Sequence, residues 1–219
     1  MKMDFELARR NMITQQVRGW DVYDDEILGL LNQLHREDFV PEAFKELALA
    51  DIRTPLGEGE TMLAPKEEGK ILQALEVLPT ETVLEIGTGS GYMTALLARL
   101  ANHVYSIECH ETLSALAKAN LTRYKLSNVT LKTGNGATGW ADNAPYDVIV
   151  VTGSVSSLDK VLSDQVNIDG RIFAFVGKAP NMQACLWTKR TKSCWDKKVL
   201  YETVVPCLHQ AQTAATFEF

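Results

Sequence analysis

Three features of this 219-residue chain predict an α/β fold built on a doubly wound, largely parallel sheet. From residue 66 onward, apolar stripes at helical spacing alternate with short β-branched runs. The first such run, Thr82-Val83-Leu84-Glu85-Ile86, meets a glycine and opens into a further helix. The run from Tyr146 to Thr152 is almost entirely apolar, as suits a strand covered on both faces. Alternation of this kind implies parallel strands joined by right-handed crossovers and sandwiched by helices.

In chain order, Asp4 to Arg18 and Asp24 to Leu34 each carry a helical stripe, Phe5, Leu7, Ala8 and Met12 in the first and Ile27, Leu28, Leu31 and Leu34 in the second. Pro41 suits the first turn of a third, short helix through Phe44, Leu47 and Ala48, so residues 1–50 form a helical extension. Residues 51–65 hold Pro55, Gly57, Gly59 and Pro65 and no sustained period, which predicts a loop covering substrate or cofactor. The α/β core of residues 66–219 follows: helix from Lys66 to Leu78, strand from Thr82 to Ile86, helix from Tyr92 to Leu100, strand from Val104 to Ile107, helix from Glu111 to Tyr124 and strand from Val129 to Lys132. After the strand from Tyr146 come a helix from Leu158 to Val166 and a strand from Arg171 to Val176. Ala184 to Arg190 and Lys198 to Val205 leave no room for a crossover helix and predict a C-terminal antiparallel hairpin. With no repeat or linker, residues 1–219 read as a single domain.

Composition narrows the function. Hydrophobic residues make up 46% and charged residues 23%, enough for a real core and too apolar for disorder. The net charge of −6 and the absence of a basic run argue against a nucleic-acid partner. No apolar stretch suits a membrane span or a secretory leader, so a cytoplasmic location is expected. The four cysteines lack C-x-x-C spacing, and the four histidines lack ligand spacing, so neither disulfides nor a metal site is expected. Nucleophile-elbow, phosphate-loop and zinc-helix motifs are missing. Nothing in the sequence sets the oligomeric state.

The chemistry points to the segment Glu85-Ile86-Gly87-Thr88-Gly89-Ser90-Gly91-Tyr92. A glycine-rich strand-to-helix turn lets a ligand approach the main chain, at the end of the strand where α/β sheets bind nucleotides. The dinucleotide fingerprint would need glycine at position 92, where this chain has tyrosine, which argues against a pyrophosphate. Glu108 ends the next strand, seventeen residues beyond Gly91, where an acid can accept both hydroxyls of a ribose.

This set resembles the class I S-adenosylmethionine-dependent methyltransferases, with their Rossmann-like sheet. Further motifs, Arg36-Glu37-Asp38-Phe39-Val40-Pro41, Gly57-x-Gly59-x-Thr61-x-x-x-Pro65 and Ala144-Pro145-Tyr146-Asp147, resemble the protein-L-isoaspartate O-methyltransferase family, in that family's order. The tail Val205-Pro206-Cys207-Leu208 is similar to its closing strand. The resemblance implies transfer of a methyl group from S-adenosylmethionine, leaving S-adenosylhomocysteine, to the carboxyl of isoaspartyl residues in peptides and damaged proteins. It implies that Glu85, Gly87, Thr88, Gly89, Ser90 and Gly91 surround the methionine half, Glu108 the ribose, and Asn135 and Gly136 the adenine. It places Thr61, Met62, Leu63, Thr152 and Gly153 at the substrate.

The chain departs from the pattern in three places: Asn135 stands where the family has aspartate, Leu63 where it has a serine near the reacting groups, and Thr152-Gly153-Ser154 replaces its small-residue turn. No catalytic side chain is assigned, Thr61 being the weak candidate left once the serine is Leu63. The alternatives that these departures leave open are a diverged paralogue with another acceptor and a non-catalytic S-adenosylmethionine-binding protein.

Overall fold

A computed structural model of the chain describes residues 3–209. Seven strands form one sheet: β3 (Thr82–Ile86), β4 (His103–Glu108), β5 (Val129–Thr133), β6 (Tyr146–Val155), β7 (Val166–Lys178), β8 (Asn181–Lys189) and β9 (Trp195–Thr203). Their spatial order is β5-β4-β3-β6-β7-β8-β9. The first five in that order run parallel, and β8 and β9 add antiparallel neighbours with Cys185 facing Val199. The chain winds outward from β3 to β5 and returns to β6, so the order reverses between β3 and β6. Ligands of open α/β sheets bind at such a reversal, beyond the carboxyl ends of the strands.

Two-sided burial explains why the central strands are nearly continuous in apolar residues. Val83, Val148, Val150, Phe173 and Phe175 face one core, while Leu84, Ile86, Ile149, Val151, Ile172 and Ala174 face the other. The first core is roofed by α2 (Asp25–Gln33), α3 (Pro65–Leu75), α4 (Tyr92–Leu100) and α5 (Glu111–Arg123). The second is covered by the one-turn α6 (Lys160–Asp164) and by aromatic side chains including Trp140 and Trp187. The helical extension is bolted to this body by buried ion pairs: Arg9 of α1 (Phe5–Asn11) with Glu37, and Arg36 with Glu68 of α3.

Several elements differ from their sequence-based bounds. The first helix continues as a π-helical segment, Met12–Val17, and a 3₁₀ turn, Arg18–Trp20. Residues Glu42–Leu47 after Pro41 form a 3₁₀ helix instead of an α-helix. The expected loop of residues 51–65 holds an antiparallel hairpin, β1 (Thr54–Gly57) with β2 (Glu60–Met62). Its turn places Glu58 at φ 55° and Gly59 at φ 82°, the doubly left-handed geometry of a tight hairpin. Strands of four and three residues are too short to display a period. The helix expected from Leu158 to Val166 shrinks to α6, because β7 begins at Val166. Val166 pairs with Tyr146 and Arg171 with Val148, so the intervening residues bulge, with Asp169 at φ 62°.

Candidate active site

The glycine turn lies where the sequence places it, between β3 and α4. Gly87 has φ 96°, and a Cβ there would stand 2.2 Å from Thr152 Oγ1, so no other residue fits. Thr152 Oγ1 engages the carbonyls of Ile86 (3.0 Å) and Gly87 (2.7 Å), clamping the turn to β6. Behind the turn runs a buried chain of hydroxyls. Thr88 Oγ1 meets Ser106 Oγ at 2.6 Å, Ser106 donates to Glu85 Oε2 at 2.6 Å, and Thr94 of α4 donates to the same oxygen. Glu85 is fully buried and its Oε1 has no hydrogen-bond partner. Burial pushes its carboxyl up to about 8, against the pull of Ser106 and Thr94, so it is a neutral acid at pH 7.

Glu108 closes β4 and faces the same space. Its Oε2 accepts from Gly89 N–H at 2.8 Å and its Oε1 from His110 N–H at 3.0 Å. Oε1 also accepts from the Cys109 thiol at 3.6 Å, so the acceptor capacity left for a ribose hydroxyl is on Oε2. Beside it, burial and then the Glu108 charge push the Cys109 thiol up to about 11, which leaves it protonated.

The wall opposite comes from the hairpin and the chain leaving it. Leu63 is buried, and its carbonyl accepts from Arg36 Nη2 at 2.5 Å. Arg36 also donates from Nε to Ala48 O at 2.8 Å and pairs through Nη1 with Glu68. Burial lifts Glu68 to about 7 although Arg36 pulls it down. Glu67, next along α3, accepts from Ala64 N–H at 3.0 Å and from Arg53 Nε at 2.9 Å. Two arginines therefore fix the backbone on which Thr61, Met62 and Leu63 are carried.

These pieces enclose a cleft of about 670 Å³ whose walls include Thr61, Leu63, Gly87, Gly89, Glu108, Gly136, Thr152 and Gly153. An adjoining cleft of about 350 Å³ adds Met62, Thr88 and Ser90. Three of the expected residues stand outside both. Glu85 lies behind the glycine turn, Gly91 backs onto Ala117, and Asn135 is exposed with Oδ1 accepting from Ala137 N–H at 2.8 Å. The sequence reading missed Leu56, whose Cδ1 lies 3.2 Å from where a Gly89 Cβ would be. It also missed that the tail from Val205 to His209 is a wall of the cleft. Leu208 N–H donates to Ser154 O and Ser154 N–H to Pro206 O, both at 2.8 Å, and a Cβ on Gly153 would meet Leu208 N at 3.1 Å. The only sequence signal was the Val205-Pro206-Cys207-Leu208 likeness, and the tail makes a single bridge, Ser154 with Cys207, in place of a full strand.

The donor set fits a nucleoside cofactor with a compact non-phosphate chain: a glycine turn admitting a ligand to the main chain, a carboxylate at the next strand end, and, among the described residues, no lysine or arginine on the walls of either cleft. Sheet order and site together define an α/β methyltransferase of the nucleoside-cofactor class. Among known families, the description "Protein-L-isoaspartate(D-aspartate) O-methyltransferase (PCMT)" matches residues 8–212, and the chain belongs to that family. A protein-L-isoaspartate O-methyltransferase of Aliivibrio fischeri is 39% identical over 171 residues, 78% of this chain and 82% of its own. One of Geobacter metallireducens is 34% identical over 205 residues, covering 94% and 93%. In three dimensions the chain is similar to a Plasmodium falciparum structure described as a protein-L-isoaspartate O-methyltransferase in complex with S-adenosyl-L-homocysteine. That likeness has TM-score 0.81 at 20% identity, covering 95% of this chain and 100% of the other.

Proposed function

We propose that this protein is an S-adenosylmethionine-dependent carboxyl methyltransferase that esterifies L-isoaspartyl residues in peptides and damaged proteins. The observation carrying this reading is family membership across residues 8–212, with the glycine turn, Glu108 and the Thr61 to Leu63 wall bordering one cleft. S-adenosylmethionine, when bound, supplies an electrophilic methyl group.

The chain itself has to hold and align. Glu108 offers the free acceptor position of Oε2 to a ribose hydroxyl, and the turn from Gly87 to Gly91 leaves room for the methionine half. Gly136 lies against the adenine side, whereas Asn135 is turned outward and leaves that side to its neighbour. The substrate carboxyl has an ordinary acidic pKa near ~4 and is ionised at neutral pH, so no general base is needed. Two titratable groups beside the glycine turn are not bases: Glu85 is a sequestered neutral acid and Cys109 a protonated thiol. Rate enhancement then rests on orientation, worth roughly 7–11 kcal/mol in well-aligned systems. Thr61, Met62, Leu63, Thr152 and Gly153 form the acceptor side, with Leu63 presenting a hydrocarbon surface where the family resemblance implies a serine hydroxyl.

A peptide or protein is the partner, reached without nucleic acid, in keeping with the net charge of −6. Among the described residues no helix is long and apolar enough to cross a membrane. We place the enzyme in the cytoplasm, where unstapled cysteines are the norm. The test is methyl transfer from labelled S-adenosylmethionine to an isoaspartyl peptide and to its aspartyl twin. Transfer to the first alone is expected, and binding of S-adenosylhomocysteine without transfer to the isoaspartyl peptide overturns the reading.

A further inference from the structure

Three segments remote in sequence meet at the rim of the cleft: Glu60 at the start of β2, His110 at the start of α5 and His209 in the tail. One ligand atom from each lies within 4.8 Å of the others. His209 Nε2 stands 3.1 Å and His110 Nε2 3.8 Å from Glu60 Oε1. Two donors each ~2.0–2.2 Å from a tetrahedral ion lie roughly 3.3–3.6 Å apart, so these spacings bracket what one ion requires. The two imidazoles meet edge to face, centroids 4.9 Å apart at 89°, as two ligands of one ion can.

A second observation points the same way. His110 Nε2 is buried from solvent and has no hydrogen-bond partner among the described residues, although it is turned toward Glu60. A ring nitrogen in that state carries an uncompensated desolvation cost that coordination removes. The opposite nitrogen, Nδ1, has Glu58 Oε2 at 3.9 Å, and Glu58 is itself held by Thr112 Oγ1 at 2.8 Å. At 3.9 Å the Glu58 approach is a charge contact and not a hydrogen bond, and it leaves Nε2 as the nitrogen turned to Glu60.

We propose that Glu60, His110 and His209 form a binding site for one divalent transition-metal ion of borderline softness, such as zinc. Two imidazole nitrogens and one carboxylate oxygen are the ligand set such ions take with a position left open. The ion ties the β1–β2 hairpin and the tail to the turn after β4. Glu60 and His209 also line the cleft, so the ion bridges its mouth. The site is independent of which methyl acceptor the enzyme uses.

The test titrates zinc chloride into chelator-treated full-length protein by calorimetry, with cobalt(II) absorption as a second probe of nitrogen ligation. One equivalent is expected, with affinity falling at least tenfold in His110→Ala and in His209→Ala and unchanged in His35→Ala. His209 is half exposed in the tail, so its replacement leaves the core intact, which far-ultraviolet circular dichroism checks. Because Cys194 and Cys207 are exposed thiols, Cys194→Ser and Cys207→Ser are titrated too and are expected to retain binding. No zinc binding, affinity unchanged in His209→Ala, or binding abolished by either cysteine replacement overturns the proposal.

Discussion

Arg36 Nη2 donates to the main-chain carbonyl of Leu63 at 2.5 Å, tying a residue of the cleft wall to a fully buried guanidinium. The same guanidinium pairs with Glu68 and reaches Ala48 O. Removing one member of a buried pair strands the other, at a cost of about 3–5 kcal/mol. Arg36→Ala is therefore expected to lose stability of that order in urea denaturation. It is also expected to lower kcat for methyl transfer more than affinity for S-adenosylhomocysteine, since Arg36 bonds the Leu63 carbonyl directly and meets the glycine segment only through the face of Tyr92, at 5.3 Å. Stability within 1 kcal/mol of the parent would show that Arg36 does not carry this wall.

Leu63 lines both clefts with a side chain that can neither donate nor accept a hydrogen bond. Because the nucleophile needs no base, the hydrocarbon does not block transfer, but it forgoes one positioning bond. A single well-placed donor contributes about 3–4 kcal/mol where it meets developing or shifting charge, and less in a pre-formed contact. Leu63→Ser is expected to raise kcat/KM on an isoaspartyl peptide several-fold while leaving S-adenosylhomocysteine affinity in calorimetry unchanged. An unchanged or lower kcat/KM would reject the hydroxyl account of this position.

Glu85 is a buried acid whose folded-state value, about 8, lies above its ordinary 4.5. The folded state therefore holds a proton that the unfolded state releases between those two values. The stability linked to this proton is complete below pH 4.5 and is lost as pH rises through 8, with a slope of up to about 1.4 kcal/mol per pH unit between them. Glu85→Gln keeps the neutral shape and the acceptor for Ser106 and Thr94 but cannot ionise. Its unfolding free energy relative to the parent is expected to improve from pH 5 to about pH 8 and then to level off. A difference that stays flat across that range would mean Glu85 is ionised in the folded protein.

The core was legible because its strands are buried on both faces. Val148 to Val151 alternate between two cores, so the run is apolar throughout and stands out. The glycine turn was legible because Gly87 has both a left-handed φ and no room for a Cβ, constraints that write themselves into residue type. The hairpin of β1 and β2 was not, since its pairing spans too few residues to leave a period. Arg36 could be matched as part of a motif, but a bond to a carbonyl 27 residues away leaves no local mark. The role of the tail was hidden for a similar reason: Ser154 holds it through backbone bonds and through its hydroxyl, which donates to Val205 O and Pro206 O, and one serine 51 or 52 residues away leaves no local mark.

Thr152 carries a different kind of prediction, because one hydroxyl serves two carbonyls. Its Oγ1 lies 3.0 Å from Ile86 O and 2.7 Å from Gly87 O, where β3 gives way to the glycine turn. Thr152→Val keeps the volume and removes the hydroxyl, leaving both carbonyls with one partner fewer beside the cleft. At roughly 1 kcal/mol for a typical hydrogen bond, a stability loss of about 1–2 kcal/mol is expected. The larger effect falls on the cofactor, because the carbonyls that the hydroxyl held in place border its site. S-adenosylhomocysteine affinity is expected to drop about tenfold, equivalent to ~1.4 kcal/mol. Thr152→Ser retains the hydroxyl and should bind as the parent does, so a Ser variant as weak as the Val variant would assign the effect to the lost methyl packing instead.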